Sequence, residues 1–245
     1  MQYLKRITII YKCFNLILLG YPIAAHSQAE ETKKFSDNFG VSLILCYGNQ
    51  YINAKQLNEA ISTAELPGFA NYNYFMGLSV ELSFKKRIFI ESEGSYISNW
   101  KIPKNSIKQL EATLTGTRLI TSIGYNIVRN NKFFLYTMMG LGGNFITLNV
   151  TNTGATNYSF INAINEKNET KFNLLDQLLV SIVGFDYHFT PKHFKCTDQN
   201  LRIGIRIGYQ YSIPNSWNYG NSNIDGPVFS ARGPIVSLIF GSYRQ

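Results

Sequence analysis

From Leu201 to Ile213 every odd position is apolar (Leu201, Ile203, Ile205, Ile207, Tyr209, Tyr211, Ile213), and every even position is Arg202, Gly204, Arg206, Gly208, Gln210 or Ser212. A period of two held over this length predicts a β-strand with one apolar and one polar face. It also exceeds the five or six residues typical of a soluble strand. The same pattern recurs along the chain. Phe39–Tyr47 sets Phe39, Val41, Leu43, Leu45 and Tyr47 against Gly40, Ser42 and Cys46, with Ile44 on the polar side. Asn73–Phe84 sets Tyr74, Met76, Leu78, Val80, Leu82 and Phe84 against Asn73, Gly77, Ser79, Glu81 and Ser83, with Phe75 as the exception.

After the tight turn Lys85–Arg87, the third strand runs from Ile88 to Tyr96, with Ile88, Ile90 and Tyr96 opposite Glu91, Glu93 and Ser95. The fourth spans about Leu110 to Val128, placing Leu119, Ile123, Tyr125 and Ile127 opposite Arg118, Ser122 and Gly124. Arg129–Lys132 is a short hairpin turn, where Asn tolerates the left-handed backbone that such turns need. The register of the fifth strand, Phe133–Val150, stays open. One turn length turns Phe134, Tyr136 and Met138 outward; the other chooses Phe133, Leu135 and Met139. The sixth strand is Lys171–Thr190, with Leu179, Val183, Phe185, Tyr187 and Phe189 on its apolar face. The eighth runs from about Val228 to Tyr243. Pro234 inside it cannot donate to a ladder, so a bulge is expected there and its facing stays open.

The connections alternate in length. Gly48–Tyr72, Asn99–Gln109, Thr151–Thr170 and Pro214–Pro227 are long, while Lys85–Arg87, Arg129–Lys132 and Pro191–Asn200 are shorter. The first long connection carries a short helix around Leu57 and Ile61, stopped before Pro67-Gly68 and read as a surface helix rather than a plug. Strands long enough to cross a bilayer, joined by long loops on one side and tight turns on the other, are the layout of an outer-membrane barrel. The aromatics fall into two belts: Phe84, Tyr125, Phe185, Tyr187 and Phe189 near the short turns, and Tyr47, Tyr74, Tyr96, Tyr209 and Tyr211 near the long loops. Such rings favour membrane interfaces because one end is apolar and the other wet. The expected fold is therefore all-β, an antiparallel up-and-down transmembrane barrel over residues 39–245. Eight strands are favoured; ten stay open if Thr151–Thr170 holds an extension.

The N-terminus reads as an export signal over residues 1–27. Lys5, Arg6 and Lys12 precede the apolar run Phe14–Ala25, and small residues allow cleavage after Ser27 or Ala29. Residues 28–38 would form a short periplasmic lead. The formal charge of +8 falls to +5 once Lys5, Arg6 and Lys12 leave, and it is spread over turns and loops, which argues against nucleic-acid binding. Cys46 and Cys196 are expected at opposite ends of the barrel, too far apart to bridge. With 16% charged and 14% aromatic residues, the composition suits alternating strands rather than membrane helices.

The candidate chemistry lies inside. Glu81, Glu91 and Glu93 share the lumen with Arg118, Arg202 and Arg206. Eight strands leave only enough space for side chains to fill, so these charges must pair. Matching strands two and three across Lys85–Arg87 sets Glu81 opposite Glu91, and the network is read as a closing plug, with a gated pore as the alternative. On the Asn99–Gln109 connection, Trp100, Lys101, Lys104 and Lys108 are candidates for contact with lipopolysaccharide phosphates. Catalysis is not expected: the mature chain has only His188 and His193, without an evident Ser partner, and no cluster stands at metal-ligand spacing. No cofactor is expected.

In this pattern of strands, loops and belts the whole mature chain resembles the small eight-stranded outer-membrane β-barrel proteins of Gram-negative bacteria. It departs from their habit of ending on an aromatic residue, since Arg244-Gln245 follow Phe240 and Tyr243. The resemblance implies outer-membrane lipid and lipopolysaccharide as surroundings, the barrel-assembly machinery during biogenesis, a monomer, and an extracellular ligand or surface partner. Members serve as structural anchors, adhesins or small channels, less often as lipid-modifying enzymes, so fold alone does not choose.

Overall fold

The computed structural model describes residues 39–63, 65–85, 87–99, 102–106, 110–130, 132–152, 169–189, 199–213, 217–219, 222–224 and 226–244. The expected signal, residues 1–27, and the expected lead 28–38 lie outside them. Twelve elements occur among the described residues, in chain order: β1 (Phe39–Tyr51), α1 (Lys55–Ser62), β2 (Tyr72–Phe84), β3 (Ile88–Asn99), β4 (Lys104–Asn105), β5 (Leu110–Arg129), β6 (Phe133–Asn152), β7 (Glu169–Phe189), β8 (Gln199–Ile213), β9 (Trp217–Tyr219), β10 (Ser222–Ile224) and β11 (Gly233–Arg244).

Eight of these strands close into an antiparallel ring. Each long strand pairs with its neighbour in the sequence, and β1 closes on β11 from Val41 opposite Arg244 to Gln50 opposite Ile235. The ring settles eight strands against ten. Closure leaves no open edge over the barrel itself, so every backbone donor and acceptor there can be met within the sheet. Both β1 and β11 meet the short-turn end, at Phe39 and Arg244.

Alternation decides which side chains face out. In β8 every odd residue from Leu201 to Ile213 is exposed, while Arg202, Arg206, Gln210 and Ser212 are buried. The outward positions of β1, β2 and β3, of residues 115–127 in β5 and 133–147 in β6, of 175–189 in β7, and of β8 and β11 up to Ser242 contain no Asp, Glu, Lys or Arg. The belt residues Phe84, Tyr125, Phe185, Phe189, Tyr47, Tyr96, Tyr209 and Tyr211 are all exposed. At the lower belt, Arg87 Nη1 donates to Tyr125 Oη at 3.0 Å.

Three expectations from the sequence need correction or completion. In β6, Phe133 and Met139 are exposed whereas Phe134, Tyr136 and Met138 are buried, which fixes the open register. The ladder between β5 and β6 slips at Ile127, between Asn126 and Val128. Ile127 and Val128 are consequently both exposed, as an inserted residue allows. Pro234 makes no bulge. It is the second residue of β11, opposite Tyr209, one residue beyond the last β1 partner, Ile235. No β1 ladder is there to be interrupted. The chain before it, residues 226–232, leaves the sheet instead of starting a strand at Val228.

The connection Pro214–Pro227 is more than a loop. β9 pairs with β10 and also with β7, Trp217 opposite Leu174 and Tyr219 opposite Phe172. On the other flank, β4 pairs with β5, Lys104 opposite Glu111. The strands β5, β6 and β7, with 20, 20 and 21 residues, run on past β3 and β8 at the long-loop end. With β4 on one side and β9–β10 on the other they form a raised wall. Its inner face is apolar: Ala112, Leu114, Ile146, Leu148, Leu174 and Trp217 are buried.

Candidate functional site in the barrel lumen

Inward positions of the long strands bring the charged residues together. Glu81 on β2 stands directly opposite Glu91 on β3. Two carboxylates facing across a ladder repel, and each is taken by a different arginine of β8. Arg206 forks onto Glu91, with Nη1 to Oε1 and Nη2 to Oε2 both at 2.7 Å. Arg202 Nη1 donates to Glu81 Oε2 at 2.8 Å. β8 lies across the ring from β3, so the Arg206–Glu91 fork spans the lumen rather than running along one wall. On the other side, Arg118 of β5 pairs with Glu93 of β3 through Nη2 and Oε1. Its Nε donates to Ser95 Oγ at 3.1 Å, and Nη1 reaches Gln50 Oε1 of β1 at 3.1 Å. The guanidinium lies 3.8 Å from the centre of the Phe75 ring, a cation over an aromatic face. Phe75, the exception to alternation in β2, therefore has a place inside.

Two residues that sequence reasoning missed complete the network. Asp186 on β7 accepts from Arg202 Nε at Oδ2, 2.5 Å away. Tyr136 on β6 joins the two arginine systems: its hydroxyl donates to Asp186 Oδ1 at 3.2 Å and accepts from Arg206 Nε at 2.9 Å. Asp186 was legible as an inward residue, because it alternates with Phe185 and Tyr187. Tyr136 depended on the open register of β6.

Buried charge is expensive, so the completeness of these contacts matters more than their number. Arg118, Arg202 and Arg206 are each less than 5% exposed. Forked, charge-assisted hydrogen bonds of this kind are roughly twice as strong as neutral ones. Removing one partner from such a pair costs roughly 3–5 kcal/mol, because the other charge is stranded.

Beyond the charges, towards the long-loop end, an apolar cluster takes over. Helix α1 sinks Leu57 and Ile61 into the same continuous apolar cluster as Ile52, Leu66, Phe69, Phe229 and the inner face of the raised wall. Its other side is exposed, as on a surface helix. The cluster is tied on all sides. Asn58 accepts from Phe69 N at 2.7 Å and donates to Phe69 O at 3.1 Å, folding the loop back on the helix. Asn53 bridges Ser230, and Gln56 Oε1 accepts from Val228 N at 2.9 Å. Asn105 Nδ2 of β4 donates to Glu65 O, and Trp217 Nε1 of β9 donates to Pro227 O at 2.7 Å.

The remaining candidates are dispersed. Lys104 is occupied by Glu111 at 2.9 Å across the β4–β5 pair, while Trp100, Lys101 and Lys108 lie outside the described residues. Cys46 is buried in β1 and free; Cys196 lies outside the described residues. His188 is buried with its ring centre 3.9 Å from that of Phe134; His193 is outside. Among the described residues, no three or more of His, Cys, Asp and Glu gather at metal-binding distances.

No family model matches the chain, and no curated protein matches it either. Among solved structures it is similar to the crystal structure of Neisserial surface protein A, at 12% identity over 85% of this chain and 97% of that one, with a TM-score of 0.44. It is similar to Ail, the attachment invasion locus protein of Yersinia pestis, in complex with the heparin analogue sucrose octasulfate, at 11% identity over 84% and 97%, with a TM-score of 0.44. A third is the translocator domain of the autotransporter NalP from Neisseria meningitidis, at 6% identity over 98% of each chain, with a TM-score of 0.33. Likeness at this level adds no argument to the barrel, which rests on its own closed ladder.

Proposed function

We propose that this chain is an integral outer-membrane barrel with a closed lumen, acting as an anchor or surface-binding protein through the structures at its long-loop end. The observation that carries the reading is the outward face: an uncharged apolar band runs round the ring between two exposed aromatic belts, while the charges point inward. That is the inverse of a soluble barrel and suits a hydrocarbon surround. The salt-bridged interior and the covered mouth lie in series, which favours binding over conduction. Buried His188, packed on Phe134, favours a binding role over catalysis. Contact with lipopolysaccharide at the β3–β5 connection is assigned to Trp100, Lys101, Lys104 and Lys108; the exposed pair of Lys104 with Glu111 is too weak to remove it from that set.

Expression of the full chain in a Gram-negative host, followed by membrane fractionation and electrophoresis with and without boiling, tests the reading. The chain should sediment with the outer membrane and migrate faster unboiled, as a barrel that resists detergent does. Recovery in the soluble periplasmic fraction would overturn it.

A further inference from the structure

Among the described residues, the exposed charges differ between the two ends of the barrel. At the short-turn end, Lys85 and Arg87 on the β2–β3 turn and Lys132 on the β5–β6 turn are exposed. The ladders bring Arg129, the last residue of β5, and Arg244, the last of β11, to the same end. No exposed Asp or Glu stands there among the described residues; Asp186, close to that end on β7, is buried and taken by Arg202. The long-loop end is mixed. Lys55 and Glu59 share α1, Lys104 meets Glu111 at 2.9 Å, and Lys171 follows Glu169 on β7.

The cations stand on fixed turns. Asn126 N of β5 donates to Arg87 O at 2.8 Å, and His188 N of β7 donates to Lys132 O at 2.7 Å, so each turn is pinned to the strand beside it. Round the ring the order is β11, β1, β2, β3, β5, β6, which puts these residues on one continuous arc. The bond from Arg87 Nη1 to Tyr125 Oη sets the guanidinium at the height of the aromatic belt, and it uses only one of the N–H donors that a guanidinium carries. Lys85 has φ 46°, a left-handed position that Gly or Asn takes more readily. The turn itself gains nothing from a lysine there.

A belt of rings marks the height of a membrane interface, and cations at its edge meet the phosphates of lipid headgroups. We propose that this arc, through Lys85, Arg87 and Lys132, binds the phosphates of anionic phospholipids in the leaflet at the short-turn end. Lysine supplies a point charge and arginine a fork for phosphate oxygens. A headgroup of net negative charge is preferred there over a zwitterionic one, whose own ammonium would meet the cationic arc. The inference rests on the membrane reading and holds for either orientation of the barrel.

The test is reconstitution of the full chain into vesicles of equimolar phosphatidylcholine and phosphatidylglycerol with matched acyl chains, then mild detergent extraction and measurement of the lipid retained. Phosphatidylglycerol should be enriched roughly fivefold over the input, as one cation at an anionic surface provides. The enrichment should fall most of the way to the input ratio in the triple variant Lys85→Gln, Arg87→Gln, Lys132→Gln. It should stay in the double variant Lys55→Gln, Lys171→Gln at the opposite end. Lys132→Gln alone should show a partial loss, which keeps the test if the triple variant does not fold. Retention at the input ratio, or enrichment undiminished in the triple variant, would overturn the proposal. So would an equal loss in the double variant, or stripping of the lipid by inorganic phosphate beyond chloride at the same ionic strength, which would mark a site for free phosphate. A chain that does not enter the vesicles at all would sink the membrane reading and the inference with it; insertion without enrichment sinks the inference alone.

Discussion

Arg206 depends on two quite different partners, one anionic and one neutral, and the difference can be measured. Arg206→Ala strands Glu91 opposite Glu81 and should destabilise the barrel by roughly 3–5 kcal/mol. Tyr136→Phe keeps every formal charge and removes one hydroxyl, leaving Arg206 Nε and Asp186 Oδ1 each short of a partner. Its cost should be smaller, about 1–3 kcal/mol. Urea unfolding of both variants in lipid vesicles checks the order; equal losses would mean that the hydroxyl, not the forked ion pair, holds this layer. The acidic pair was legible in the sequence, because matching Leu82 with Ile90 across a tight turn sets Glu81 against Glu91 automatically. The partner that joins the two arginine systems was not. A single inserted residue at Ile127 decides whether Tyr136 points in or out, and alternation alone cannot see an insertion.

Among the elements, α1 and the segment 226–232 owe their positions to contacts that no local pattern announces. The i,i+4 pair Leu57 and Ile61 predicts an apolar helix face but not what that face covers. The answer lies in the inner face of the raised wall, whose residues Leu114, Ile146, Leu148 and Leu174 would otherwise meet water. Likewise, Asn-, Ser- and Gly-rich sequence around β9 and β10 reads as loop, since three-residue strands carry too little alternation to detect. Leu57→Asp places a charge in this apolar cluster and should loosen the cover while leaving the ring closed. Trypsin should then cut at exposed Lys55 in the variant and not in the parent. Conductance in planar bilayers should stay low in Arg206→Ala and in Leu57→Asp, and rise only when both changes are combined, because the proposed reading puts the ion pairs and the cover in series. A fully open Arg206→Ala channel would refute the cover.

For the molecule as a whole, the expected orientation follows from the layout: Phe39, Arg244 and the short connections at one end, the longer connections at the other. A peptide tag inserted at Gly154 should be reached by antibody on intact cells, and one at Asn130 only after permeabilisation. The opposite outcome would invert the barrel. The architecture was open to sequence reading because closed barrels impose alternation on every strand, one residue at a time. The uneven height of the wall was not, because alternation carries no mark of where a strand leaves the bilayer. β5, β6 and β7 are about ten residues longer than the 9–11 needed to cross a bilayer, roughly 30 Å of extended chain before tilt is considered. That surplus belongs to one sector of the circumference. The long-loop end consequently has a tall side and a low side, like a chair with a back. In the proposed orientation, a large molecule gliding over the cell surface meets a barrier from one compass direction and the low rim from the other, so encounters with it depend on the angle of approach.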